Sequence, residues 1–150
     1  MKKIIILFIT LICLTGCMPL KNNEPSILSE KIDVAFVDNV DEADNIFELA
    51  QTIKDSLDVV YNLEASYVNP GYLPGFVQDI TGFEEGILIA PTVGTIPFVC
   101  YIFKTDNVEA LKANLEKFAD MRWNICTEAD EQIVDSKGNY VLFAMVPSYK

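Results

Sequence analysis

The sequence predicts an α+β fold: a two-layer body in which two main helices pack on one face of a mostly antiparallel sheet. Three observations predict it. Two stretches, about 42–60 and 106–121, repeat apolar residues at three- and four-residue steps. Short apolar runs of strand length lie between and after them. The last two runs flank a tight turn at Gly138, which favours an antiparallel pair. With 150 residues, 51% of them hydrophobic, the chain can build one core.

The elements follow in chain order. Residues 31–37 alternate, with Ile32, Val34 and Phe36 on one side, and predict a short strand or extended lead-in. The acidic stretch Asp38 to Asp44 comes next. It lacks the spacing and distal glutamate of a calcium loop, so it reads as helix capping, with Asp41 as the N-cap beside the positive end of the helix dipole. The helix over 42–60 buries Ala43, Ile46, Ala50, Ile53, Leu57 and Val60, with Phe47 and Leu49 widening the stripe. Residues 61–68 predict a weak strand.

Asn69 to Phe76 carries two prolines and two glycines, the chemistry of irregular backbone. Aromatic rings crowd this region, and they read first as a lid folded over the core. The functional alternative is a small apolar or carbohydrate-binding surface, whose candidate residues are Tyr72, Phe76 and Phe83.

Residues 86–90 and 96–103 are apolar on both pleat faces and predict central strands. The connection between them has no lysine and is not a phosphate cradle. In the helix over 106–121, Asp106 is the expected N-cap, with Glu109 three residues on. Val108, Leu111, Leu115, Phe118 and Ala119 form its stripe. Trp123 reads as a cover for the core edge, with ligand stacking as the sharper alternative. Residues 124–135 predict a strand that places Glu128 and Asp130 on one face, about 7 Å apart. Such a pair suits glycosidic acid–base chemistry or cation binding, but two acids facing water need neither. Tyr140 to Val146 is the final central strand. Two helices on one face leave a second apolar face to cover. The aromatic loop, the N-terminal strand, or another protein chain can do it.

Charge and composition exclude much. A net charge of −11 with a lone arginine, Arg122, argues against nucleic acid. The absence of histidine removes Ser-His-Asp and Cys-His catalysis and every His-ligated metal site. No cofactor motif is present, so no cofactor is expected.

The N-terminus reads as an address. Lys2 and Lys3 precede an uncharged apolar run, Ile4 to Leu14, that is too short to span a bilayer. Leu14-Thr15-Gly16-Cys17 then matches the bacterial lipobox, in which Cys17 is acylated and becomes the mature N-terminus. The expected organisation is a removed signal peptide over 1–16, a lipidated tether over 17–30 and one globular domain over 31–150. Processing would remove Lys2 and Lys3, making the mature chain more acidic still. Two acyl chains give stable anchoring at the outer face of the cell membrane, and the acidic body is expected to stand off anionic lipid. Cys100 and Cys126 remain in the body. A disulfide is permitted in that compartment, but apolar surroundings favour two small buried thiols.

Lys137-Gly138-Asn139-Tyr140-Val141-Leu142, the helix Val108–Asp120 and the strand pair 86–103, taken with the lipobox, resemble an uncharacterised family of small Gram-positive bacterial lipoproteins, a domain of unknown function. The resemblance covers about residues 40–146 and departs at Gly94-Thr95-Ile96-Pro97 and Arg122-Trp123. It implies a membrane-tethered, surface-exposed protein and no activity, cofactor or catalytic residue.

The expected function is therefore a non-catalytic binding or protein-interaction module. Its partners are membrane lipid through Cys17 and a protein or second copy through an apolar sheet face. Two alternatives stand beside it. One is a carboxylate-based surface enzyme, in which Glu128 or Asp130 converges with Glu84 or Glu85. The other is an accessory structural lipoprotein without a small-molecule site.

Overall fold

The computed structural model describes residues 26–148. The signal segment, the lipobox and Cys17 lie outside the described residues. The chain folds as α+β, with five strands in one wholly antiparallel sheet of order β1-β2-β3-β5-β4 and three helices packed against it.

The first element corrects the sequence reading. Helix α1, Ile27–Asn39, stands where a lead-in strand was expected and takes up the end of the expected tether. Leu28, Ser29, Ile32, Ala35 and Phe36 are its buried residues. Leu28, Ile32, Ala35 and Phe36 lie at i, i+4, i+7 and i+8, which is helical spacing. Val34, the middle of the apparent alternation, is exposed. Ser26 caps the helix, its side chain accepting from the Ser29 amide.

Helix α2, Ile46–Ser56, lies inside the expected 42–60 span. Asn45, not Asp41, is its N-cap: its Oδ1 accepts from the Glu48 amide at 2.9 Å. Glu48 in turn accepts from the Asp44 amide, giving a reciprocal cap. Asp41 is used elsewhere, in an ion pair with Lys137. Helix α3, Val108–Phe118, is likewise capped one residue later than expected, by Asn107.

The strands are β1 (Leu63–Val68), β2 (Glu85–Pro91), β3 (Val99–Lys104), β4 (Glu131–Lys137) and β5 (Tyr140–Val146). β3 and β5 are internal and almost wholly buried, as their two-faced apolarity predicts. β4 starts seven residues later than expected. Its register is set by a two-residue hairpin, Gly138-Asn139, which pairs Lys137 with Tyr140. Gly138 has φ 62, a conformation glycine takes without a Cβ penalty.

The two helices expected on one face are on opposite faces. Ile87, Ile89, Cys100, Ile102, Leu142, Ala144 and Val146 point to the side filled by α1 and α2. Val99, Tyr101, Phe103, Val141, Phe143 and Met145 point to the side filled by α3 and the 71–83 loop. The physical reason is α1 itself. Once residues 27–39 are a helix beside α2, that face is occupied, and the stripe of Leu111 and Leu115 closes the other. The central strands β3 and β5 are thus covered on both sides by the chain itself, while the edge strand β1 keeps Glu64, Ser66 and Tyr67 exposed.

Candidate functional site

The aromatic loop is built into the core. Phe76 and Phe83 are buried, and only Tyr72 of the three candidate rings faces solvent. Phe76 packs on Phe143 with ring centroids 4.7 Å apart, and Phe83 on Phe103 at the same distance. The three therefore do not form one exposed binding surface. The lid reading is the one observed, because the apolar second face of β3 and β5 offers these rings more burial than water does. The loop is fixed by polar contacts too. Tyr101 donates its hydroxyl to the Pro74 carbonyl at 2.7 Å, and Asp120 donates its amide to the Gly75 carbonyl at 2.8 Å. Gly75 has φ 98, and a Cβ there would sit 2.7 Å from Cε of Met145. Trp123 is half-buried against the same core, as its covering role predicts.

The acids are dispersed. Glu128 and Asp130 precede β4 rather than sharing a strand face. Glu128 lies 3.7 Å from Arg122 in an exposed ion pair, while Asp130 accepts the Ser148 amide at 2.8 Å. Glu85 pairs with Lys104, whose ammonium is held above its ordinary pKa by that hydrogen bond. The structure joins Glu84 and Glu85 to neither Glu128 nor Asp130. Among the described residues, no group of three or more cysteine or acidic side chains is placed to hold a metal ion.

Cys100 is buried and Cys126 exposed, both as free thiols, so no bridge joins them. Burial pushes the Cys100 thiol up to about 12, which leaves it inert as a nucleophile.

A contact system that the sequence did not announce joins α1 to β4. The alternate residues Glu131, Ile133, Asp135 and Lys137 face α1. Glu131 accepts the Ser26 amide on both carboxylate oxygens at 2.9 Å. Lys137 donates to the Val37 carbonyl at 2.9 Å and pairs with Asp41 at 2.6 Å. Ile133 packs on the core between them. Strand and helix run in the same direction, so an anion meets the positive end of the helix dipole and a cation the negative end. Six strand steps cover roughly 20 Å, close to the rise of α1 from Ser26 to its last turn.

Asp33 and Asp135 meet midway along this seam. Partial burial, then the charge and hydrogen bond of Asp135, hold the Asp33 carboxyl above its ordinary value. For Glu131 burial acts upward, but hydrogen bonds from Ser29 and Ser26 outweigh it and hold the carboxyl below its ordinary value. These pairs join residues about a hundred positions apart, and nothing local marks them.

An open hollow of about 290 Å³ lies under the α2–β1 connection, lined by Lys54, Asp55, Leu57, Val59, Tyr61, Asn62 and Leu63. No described helix is long and apolar enough to cross a membrane. No family model matches the chain, and neither does any curated protein or solved structure.

Proposed function

We propose that the protein is a lipid-anchored extracytoplasmic lipoprotein, held at the outer face of the bacterial membrane through acylated Cys17 and serving as a non-catalytic binding or interaction module. The observation that carries this reading is Leu14-Thr15-Gly16-Cys17, placed directly after a cationic start and an eleven-residue uncharged apolar run, Ile4 to Leu14. Nine positions separate that cysteine from Ser26, the N-cap of α1.

The binding role rests on what the body presents to solvent. The central strands are closed on both faces, so recognition falls to the exposed edge strand and to loop and helix surfaces, among them the exposed ring of Tyr72. Metabolic labelling with a fatty acid, followed by membrane fractionation, tests the anchor. The wild-type chain takes up label and sediments with membranes, and Cys17→Ser does neither. Labelling that persists in Cys17→Ser overturns the assignment. For the binding role, crosslinking on intact cells should enrich a partner over a Tyr72→Ala control. Equal recovery counts against that surface.

A further inference from the structure

The register of the sheet places one end of every strand together. Leu63 of β1 pairs with Pro91 of β2, Val99 of β3 with Met145 of β5, and Glu131 of β4 with Val146 of β5. The 57–62, 92–98 and 119–130 connections therefore converge at one end of the molecule. They are tied to one another: Thr92 donates its amide to the Asn62 carbonyl, Asn124 its side chain to the Gly94 carbonyl, and Thr127 its hydroxyl to the Thr95 carbonyl. Ser26 sits at the same end, because Glu131 holds it there.

Four large apolar side chains stand in water at this end. Val60 is 100% exposed, Ile125 98%, Ile27 72% and Val93 56%. They spread across the whole width of the sheet, roughly 19 Å for five strands. The 92–98 connection carries no charge. The opposite end gathers Asp41, Glu42, Asp44, Glu84, Glu85 and Asp106 around the far ends of the strands, with Lys137 and Lys104 paired to Asp41 and Glu85.

We propose that the end bearing Val60, Val93, Ile125 and Ile27 is a membrane-docking face, seated on the lipid surface to which Cys17 is anchored. The inference rests on the anchor reading above. The nine steps from Cys17 to Ser26 span at most about 32 Å, and they lead into this end of the body and no other. Exposed apolar side chains at the point where a lipid leash enters find an apolar phase within reach. The end bearing the Gly138-Asn139 hairpin is then turned away from the bilayer. Asp58, Asp120, Glu128 and Asp130 also lie in the docking loops and are answered there by Arg122 alone, so the face suits zwitterionic rather than anionic lipid.

Cys126 supplies the probe position, since it is exposed in the docking loops while Cys100 is buried. The acylated full-length chain is labelled at Cys126 with a fluorophore and reconstituted in phosphatidylcholine vesicles carrying a lipid-bound quencher. A second chain, Cys126→Ser with Asn139→Cys, carries the label on the far hairpin. The label at 126 is quenched and the label at 139 is not. Val60→Asp with Val93→Asp abolishes the quenching at 126, although the chain still floats with the vesicles and keeps its melting temperature. Equal quenching at the two positions overturns the proposal, as does quenching at 126 that survives the double variant. Failure of the anchor reads differently: the Cys17 chain carries no acyl group and does not float, and the orientation falls with it.

Discussion

Glu131 opens β4 by accepting the Ser26 amide on both carboxylate oxygens, which fastens the first turn of α1 to an edge strand 105 residues away. Glu131→Gln keeps the shape and removes the charge. It is expected to lower stability by about 1 kcal/mol, the scale of a partly exposed charge-assisted hydrogen bond. Urea denaturation gives the loss, and hydrogen exchange should show it concentrated in the first turn of α1.

The two perturbed acids on this seam predict opposite pH responses. The folded-state pKa of Asp33 is raised above its ordinary 3.8, so its stabilising contribution is complete below that value and is lost as pH rises through the folded pKa. Asp33→Asn should therefore stabilise the protein at neutral pH, by on the order of 0.5 kcal/mol after solvent screening, and the gain should vanish in acid. Glu131 is lowered from its ordinary 4.5, so its contribution is present above that value and is lost as pH falls through the folded pKa. Urea midpoints for wild type, Asp33→Asn and Glu131→Gln across the acid range separate the two. A gain in Asp33→Asn that does not change with pH would refute the carboxyl pair.

Phe76 and Tyr72, four residues apart on one loop, should respond differently to truncation. Phe76→Ala empties a core site between Tyr101 and Phe143 and is expected to cost roughly 3–5 kcal/mol. Tyr72→Ala removes an exposed ring and should stay within about 0.5 kcal/mol of wild type. Thermal denaturation decides it. The contrast also makes Tyr72→Ala the usable variant in binding experiments.

Gly75→Ala places a methyl group against Met145 at a backbone angle that alanine resists. A loss of roughly 1–3 kcal/mol is expected, read from the denaturation midpoint.

The two thiols of the body should react at very different rates. A maleimide should modify Cys126 in the native protein and reach Cys100 only on unfolding, because Cys100 is fully buried under α1 and α2. Mass spectrometry after brief labelling, with and without denaturant, counts the modified sites. Equal rates in the native state would contradict the packing of that face.

Much of the sheet was legible. Tyr140 to Val146 is apolar at every position, and a strand of that kind needs cover on both faces. Gly138 marked the hairpin through its turn chemistry. Helices α2 and α3 announced themselves through their stripes, though not the residue that caps them, since Asp41, Asn45, Asp106 and Asn107 all have capping side chains. Helix α1 was hidden by coincidence. Ile32, Val34 and Phe36 satisfy a period of two, while Leu28, Ile32, Ala35 and Phe36 satisfy the helical one, and Ile32 and Phe36 belong to both. That misreading carried the second one with it. A reading with one helix too few puts both remaining stripes on one face and leaves the second face open.

The candidate site was the least legible part. Aromatic residues in a glycine- and proline-rich loop look alike whether they turn in or out, and Phe76 and Phe83 turn in. The exposed apolar side chains that matter at the leash end belong to four separate segments, and only strand register brings them together.

The parallel course of α1 and β4 also decides how the body bears load. A pull at Ser26 directed along the helix axis loads the contacts of Glu131, Ile133 and Lys137 in shear. The Glu131 contact at the first turn meets that load first, with those of Ile133 and Lys137 behind it. A domain tethered through its N-terminus would thereby be gripped at the place where the strain enters.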